Sequence, residues 1–116
     1  MQLRLKDGKP TFKQGWVTIG DKTHYMRSQW EYFYAVHLQK LNQQGKIADW
    51  FYEPKTFWFL KIKRGTRSYK PDFKVLYHSG AEEYAEVKGF MDDQSKTKIN
   101  RMRIYYPNVK LRVVEK

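Results

Sequence analysis

The stretch "SYKPDFKVLYHSGAEEYAEVKGF", residues 68–90, restricts the fold more than any other part of the chain. Two runs rich in β-branched and aromatic residues, 70–77 and 81–88, flank His78-Ser79-Gly80. That is the pattern of two antiparallel strands joined by a tight turn. Side chains alternate along a strand. Asp72, Lys74 and Leu76 therefore share one face of the first strand, and Glu82, Tyr84, Glu86 and Lys88 one face of the second. The turn sets the register. A two- or four-residue loop would put Asp72 opposite Ala85 or Val87, whereas a three-residue loop pairs Tyr77 with Ala81 and hence Asp72 with Glu86. Three-residue hairpins commonly carry glycine in the left-handed position of a bulge, and Gly80 stands there. The turn chemistry thus predicts two carboxylates side by side.

Such a pair costs stability, because like charges directly opposite one another destabilise a sheet. A divalent cation would remove the repulsion, and Mg2+ is commonly held by one or two carboxylates while keeping several waters. Asp72 and Glu86 are therefore candidate metal ligands, with the backbone carbonyl of Val87 as a third. Lys88, on the same face, could touch a phosphate oxygen or an attacking water. The plain alternative is a solvated strand face, on which Glu-x-Lys is common. Charge favours the metal: Lys and Arg number 23 against 12 Asp and Glu, a net charge of +11. That excess points to a polyanionic partner, nucleic acid first. An acidic site inside a basic protein is expected where a metal must meet a phosphate backbone.

Several classes are excluded. A chain of 116 residues suits one domain with one core. The absence of cysteine removes disulfides, zinc–thiolate sites and thiol nucleophiles. No apolar run approaches the ~18 residues of a membrane span, and the first residues lack the apolar core of a signal peptide. No membrane partner and a cytoplasmic location are the expectation. There is no Gly-rich phosphate loop, so no nucleotide cofactor is expected. His24, His37 and His78 lack zinc spacing, His37 reading as a core residue and His78 as a turn residue. Aromatics make up 17% of the chain, most of them for the core and a minority able to stack on bases.

The remaining pattern supplies a scaffold. Residues 1–15 read as a flexible basic arm with a strand at Gln2–Leu5, and 16–116 as one domain. Residues 16–26 read as a hairpin turning at Gly20-Asp21. Ser28 and Glu31 form a capping box for a helix that Gly45 ends. Trp30, Phe33, Tyr34, His37, Leu38 and Leu41 define its buried stripe, and Glu31 lies at the stripe's edge, able to reach the rim of a sheet. Strands are expected over 46–54, 56–64, 70–77, 81–88 and 109–115, with a second helix from Asp92 to Tyr106 ended by Pro107. The fold class is α/β or α+β: a mixed sheet of about four to five strands flanked by helices, with an N-terminal hairpin. The second helix turns Ile99, Met102 and Tyr106 inward and is crowded by Lys96, Lys98, Arg101 and Arg103. Together with Arg27, Arg67 and Lys70 these are the candidate DNA contacts.

Pro71-Asp72 followed by Glu86-Val87-Lys88 resembles the motif of the PD-(D/E)xK nucleases, and the helix bearing Glu31 resembles the first helix of that superfamily. The ordered set "RS..E … G.I … Y.PDF … E.KG … P....RVV", over roughly residues 25–115, is similar to phage junction-resolving endonucleases of the endonuclease I type, and to small phage and transposon-end nucleases. The resemblance implies a restriction-endonuclease-like core and Mg2+-dependent hydrolysis of DNA phosphodiesters, with Mn2+ able to substitute, on branched, Holliday-junction-like or otherwise structured DNA. By carry-over Asp72 and Glu86 bind metal, Lys88 assists and Glu31 completes the catalytic set. The extended linker and basic tail of the swapped phage dimers are not evident, which leaves a homodimer open. Two alternatives stand beside this reading: a non-catalytic nucleic-acid-binding module, and a nuclease subunit that needs a partner.

Overall fold

The computed structural model describes residues 5–6, 9–10 and 14–115. Leu5–Lys6 (β1) pairs with Lys9–Pro10 (β2); otherwise the expected basic arm, with its strand at Gln2–Leu5, lies almost wholly outside the described residues. Gly15–Ile19 (β3) and Lys22–Met26 (β4) form the expected hairpin, with Gly20 at φ +62° where the two-residue turn needs a left-handed residue. Ser28 caps the helix Gln29–Gln43 (α1) by accepting the Glu31 N–H at 3.1 Å. Gly45, at φ +75°, closes it in a Schellman motif: the Lys46 N–H bonds the Leu41 carbonyl at 2.9 Å, and the Gly45 N–H that of Asn42 at 3.0 Å.

The fold is mixed α+β. Asp49–Tyr52 (β5), Phe57–Trp58 (β6), Ser68–Tyr69 (β7), Phe73–Leu76 (β8) and Glu82–Lys88 (β9) follow α1; then come Asp93–Tyr105 (α2) and Leu111–Glu115 (β10). The central sheet has the order β10-β9-β8-β5, with β10 parallel to β9 and the other pairs antiparallel. On one face α1 and the β3–β4 hairpin cover Trp50, Tyr52, Phe73, Val75 and Ala85, joined by Val17, Ile19, Met26 and Leu38. On the other, Phe57, Phe59, Tyr69 and Met102 enclose Tyr84. These two apolar clusters pin β8 and β9 from both sides.

Three expectations change. The strand over 56–64 shrinks to β6, because the chain turns back after Phe59, whose carbonyl takes the Ile62 N–H at 2.9 Å. Phe57 and Phe59 are buried on either side of exposed Trp58, and the Phe59 N–H still bonds the Arg67 carbonyl at 2.8 Å before the chain turns. The centre of the buried face of α1 is Tyr32, Ala35 and Leu38, while Trp30 and His37 are exposed. The helix touches both the hairpin and the sheet, with Ala35 fully buried at the middle of that face between Tyr32 and Leu38. His37 is therefore no core histidine. Among the described residues no helix is long and apolar enough to cross a membrane.

Candidate active site

The β8–β9 turn adopts the three-residue form. The Tyr77 N–H bonds the Ala81 carbonyl at 2.9 Å, and Gly80 has φ +92°. The ladder runs Leu76–Glu82, Val75–Glu83, Lys74–Tyr84, Phe73–Ala85. The regular pairing ends there, since β8 begins at Phe73; continued in the same register it would bring Asp72 to Glu86 and Pro71 to Val87. Proline has no N–H to give, so the ladder supplies no donor from residue 71 to the Val87 carbonyl. The Val87 N–H donates to Asp72 Oδ2 at 2.8 Å. In an extended strand the N–H and C=O of one residue point to the same side. On that rule the Val87 carbonyl faces the β8 side of the strand, the side from which Asp72 accepts the Val87 N–H.

Glu86 is 8% exposed, and Tyr69 donates its hydroxyl to Oε1 at 2.7 Å. Lys88 Nζ lies 3.6 Å from Glu86 Oε2. Burial first, and then the charge of Glu86, push the Asp72 carboxyl up to about 7; the Val87 N–H and Lys88 act against this, and Glu31 adds to it. Asp72 thus feels Glu86, Glu31 and Lys88 together, and the four expected catalytic side chains form one electrostatic cluster. Glu31 is drawn in by a tyrosine: Tyr52 donates its hydroxyl to Glu31 Oε1 at 2.6 Å. Burial and the adjoining carboxylates hold both phenols well above their ordinary pKa, so they remain donors to Glu31 and Glu86.

The donor set suits a hard divalent cation. Two carboxylates share a site where one resists ionising, and a carbonyl oxygen stands free of its ladder donor. Among the described residues no three His, Cys, Asp or Glu side chains enclose a metal by themselves. The site offers two acids and a backbone oxygen, and a hard divalent ion would need waters or a phosphate oxygen to complete its shell.

Glu53, not singled out in the sequence, completes the rim. It is the one non-glycine among the described residues with positive φ, at 45°, and its N–H bonds the Asp72 carbonyl at 2.7 Å. A bulky residue in that region costs energy and persists only where its surroundings hold it, commonly at a functional site. What holds it is Arg27, whose Nη1 lies 3.0 and 2.8 Å from the two Glu53 oxygens. Arg27 is therefore tied to the acid cluster as well as facing solvent. Of the other expected DNA contacts, Arg67, Lys70, Lys96 and Arg103 are exposed and Lys98 is half-buried. Arg101 is spent on structure, its guanidinium donating to the Thr66 carbonyl and fastening α2 to the β6–β7 loop. Tyr52 and Tyr69 read in the sequence as packing or stacking aromatics. Their partners lie 21 and 17 residues away, so only the fold reveals them as the donors that orient the acids. Compared with known proteins, the chain matches no family model and no curated protein.

Proposed function

We propose that the chain is a metal-dependent endodeoxyribonuclease of PD-(D/E)xK type, with Asp72, Glu86 and the Val87 carbonyl holding Mg2+ or Mn2+. The observation that supports this reading is the coupling of the Asp72 carboxyl, just before β8, to the charges of Glu86 and Lys88 on β9, with Lys88 Nζ 3.6 Å from Glu86 Oε2. Opposed acids have no structural benefit to offset their repulsion, and the net charge of +11 around them suits a polyphosphate. A bound divalent ion would lower the pKa of a coordinated water and neutralise charge on the phosphoryl oxygens.

The chain's own groups do the rest. Lys88, braced against Glu86, places an ammonium where charge develops on the attacking or phosphoryl oxygen. Tyr69 and Tyr52 fix the orientations of Glu86 and Glu31, so neither carboxylate need reorganise during the reaction. Lys70, Arg67 and the basic side of α2 bind flanking phosphates. Branched, Holliday-junction-like DNA is the proposed substrate class, from the same motif resemblance.

The test is a cleavage panel of four-way junction, single-strand, nicked and linear duplex DNA, with Mg2+, with Mn2+ and with EDTA. Metal-dependent cutting that Asp72→Asn and Lys88→Ala abolish, with DNA binding retained, is the expected result. Purified protein that binds DNA but cuts nothing with either metal would sink the enzyme reading and leave a binding module or a partner-dependent subunit.

A further inference from the structure

The β3–β4 hairpin has two faces. One sends Val17, Ile19 and Met26 into the core. The other carries the rungs Thr18–Thr23 and Trp16–Tyr25. The threonines, hydroxyl to hydroxyl at 3.0 Å, are what a solvated face should carry. The aromatic rung is not: Trp16 is 68% exposed and Tyr25 40% exposed. Their rings meet edge to face, with centroids 5.7 Å apart and planes at 76°. That geometry uses one face of one ring, so the remaining π-faces of the rung are left for another group.

Position suggests which group. Two residues after Tyr25 comes Arg27, clamped to Glu53, whose N–H bonds the Asp72 carbonyl. At ~3.3 Å per strand residue, Tyr25 is ~7 Å along the chain from Arg27. That is about two stacked-base steps of 3.4 Å. Through Arg27 and Glu53 the aromatic rung is joined to the backbone of Asp72, on the hairpin side of the acid cluster. In between stands an arginine suited to a phosphate or to stacking on a base. Within duplex DNA the faces of the bases are stacked on their neighbours. An aromatic pair reached by way of the backbone can stack only on a base that has left the helix.

We propose that Trp16 and Tyr25 form a stacking platform for an unpaired base next to the cleavage point. The substrate class would then be DNA with a single-stranded segment adjoining the scissile phosphate, such as a fork, flap or open junction arm, in place of continuous duplex. The proposal rests on the nuclease reading for the word "cleavage", but its binding step needs no metal.

The test uses the full chain in EDTA at fixed moderate salt, with fluorescein-labelled single strand, forked duplex and fully paired duplex of equal length. Trp16→Thr and Tyr25→Thr copy the neighbouring threonine rung and so preserve the hairpin. Trp16→Phe keeps a π-face, and thermal melts confirm folding. Each Thr variant is expected to weaken single-strand and fork binding about 5- to 100-fold, the loss of one stacked base. Paired-duplex binding should stay within about two-fold, and Trp16→Phe should recover most of the loss. Equal losses on all three DNAs, no loss on any, or a change of oligomeric state with DNA binding intact would each overturn the platform; the last would assign the rung to a second copy of the chain. Single-strand discrimination in EDTA, with no cleavage of the same DNAs once Mg2+ or Mn2+ is supplied, would instead sink the nuclease reading and leave the platform standing.

Discussion

Glu83 and Glu86 lie three residues apart on β9, one towards each face of the sheet, and both are nearly buried, at 3% and 8% exposure. Glu83 is neutralised. Arg112 Nε is 3.3 Å away, Lys110 Nζ is 3.9 Å away and the Tyr77 hydroxyl is 3.1 Å away, so two cations serve one acid. Glu86 is not. It has Lys88 at 3.6 Å and the Tyr69 hydroxyl, yet it faces Asp72, so one ammonium is shared between two acids. The same residue type on the same strand thus builds a structural ion pair at one position and an under-neutralised pair of acids at the other. Burial alone does not separate the two roles. The local sum of charge does, and a cleft short of positive charge is where a cation has something to gain.

The comparison makes graded predictions. Glu86→Gln or Asp72→Asn should lower metal-dependent cleavage by about 10³-fold or more, the scale of several kcal/mol of transition-state stabilisation. Glu83→Gln should leave cleavage by the folded enzyme within a few-fold, measured on a labelled junction; comparable loss at both positions would erase the distinction. The next effect is on pH. The Asp72 carboxyl sits near 7 in the folded chain against its ordinary 3.8. Between those values the folded state keeps a proton that the unfolded state has lost. Metal-free stability should therefore fall as pH rises from about 4 to about 7 and then level off. Asp72→Asn should flatten that slope in chemical denaturation. At pH 8, Mg2+ should raise the melting temperature of the parent protein but not that of the variant.

Smaller effects follow. Glu83→Gln should cost about 1–3 kcal/mol in denaturant melts through weakened charge-assisted contacts, the outer ends of Lys110 and Arg112 being free to turn to water. Tyr69→Phe removes one hydroxyl bond to Glu86, worth about 1.5 kcal/mol in stability. With Glu86 as a ligand of the proposed metal, loss of the hydroxyl that orients it should also lower apparent Mg2+ affinity about 10- to 100-fold. An unchanged Mg2+ requirement in Tyr69→Phe would reduce that tyrosine to a packing residue.

The sequence made much of this visible where the rule is local. Gly80 fixed the turn, the turn fixed the register, and the register placed Asp72 against Glu86; Ser28 and Gly45 marked α1 by their capping chemistry. Rules that depend on packing were less legible. Phe57 and Phe59 carry a strand-like alternation, but the hydrogen bonds after Phe59 belong to a turn. The stripe of α1 centres on Tyr32, Ala35 and Leu38, so only Leu38 of the expected residues lies at its middle, and Trp30 turns to solvent. Tyr52, Tyr69 and the strained Glu53 could not be read from the chain, since each acts through a partner distant in sequence. Arg101 looked like its basic neighbours until the β6–β7 loop claimed it.

Pro71 leaves one more mark. By ending the regular ladder beneath the acids, it makes the Val87 amide proton the last one on β9 held from the β8 side, and the acceptor holding it is a titrating carboxylate. That single proton is a built-in reporter. Its nuclear magnetic resonance frequency and its rate of exchange with solvent should move when Asp72 changes charge or takes up an ion, while the amides of Ala85 and Glu83, locked into the sheet, stay silent.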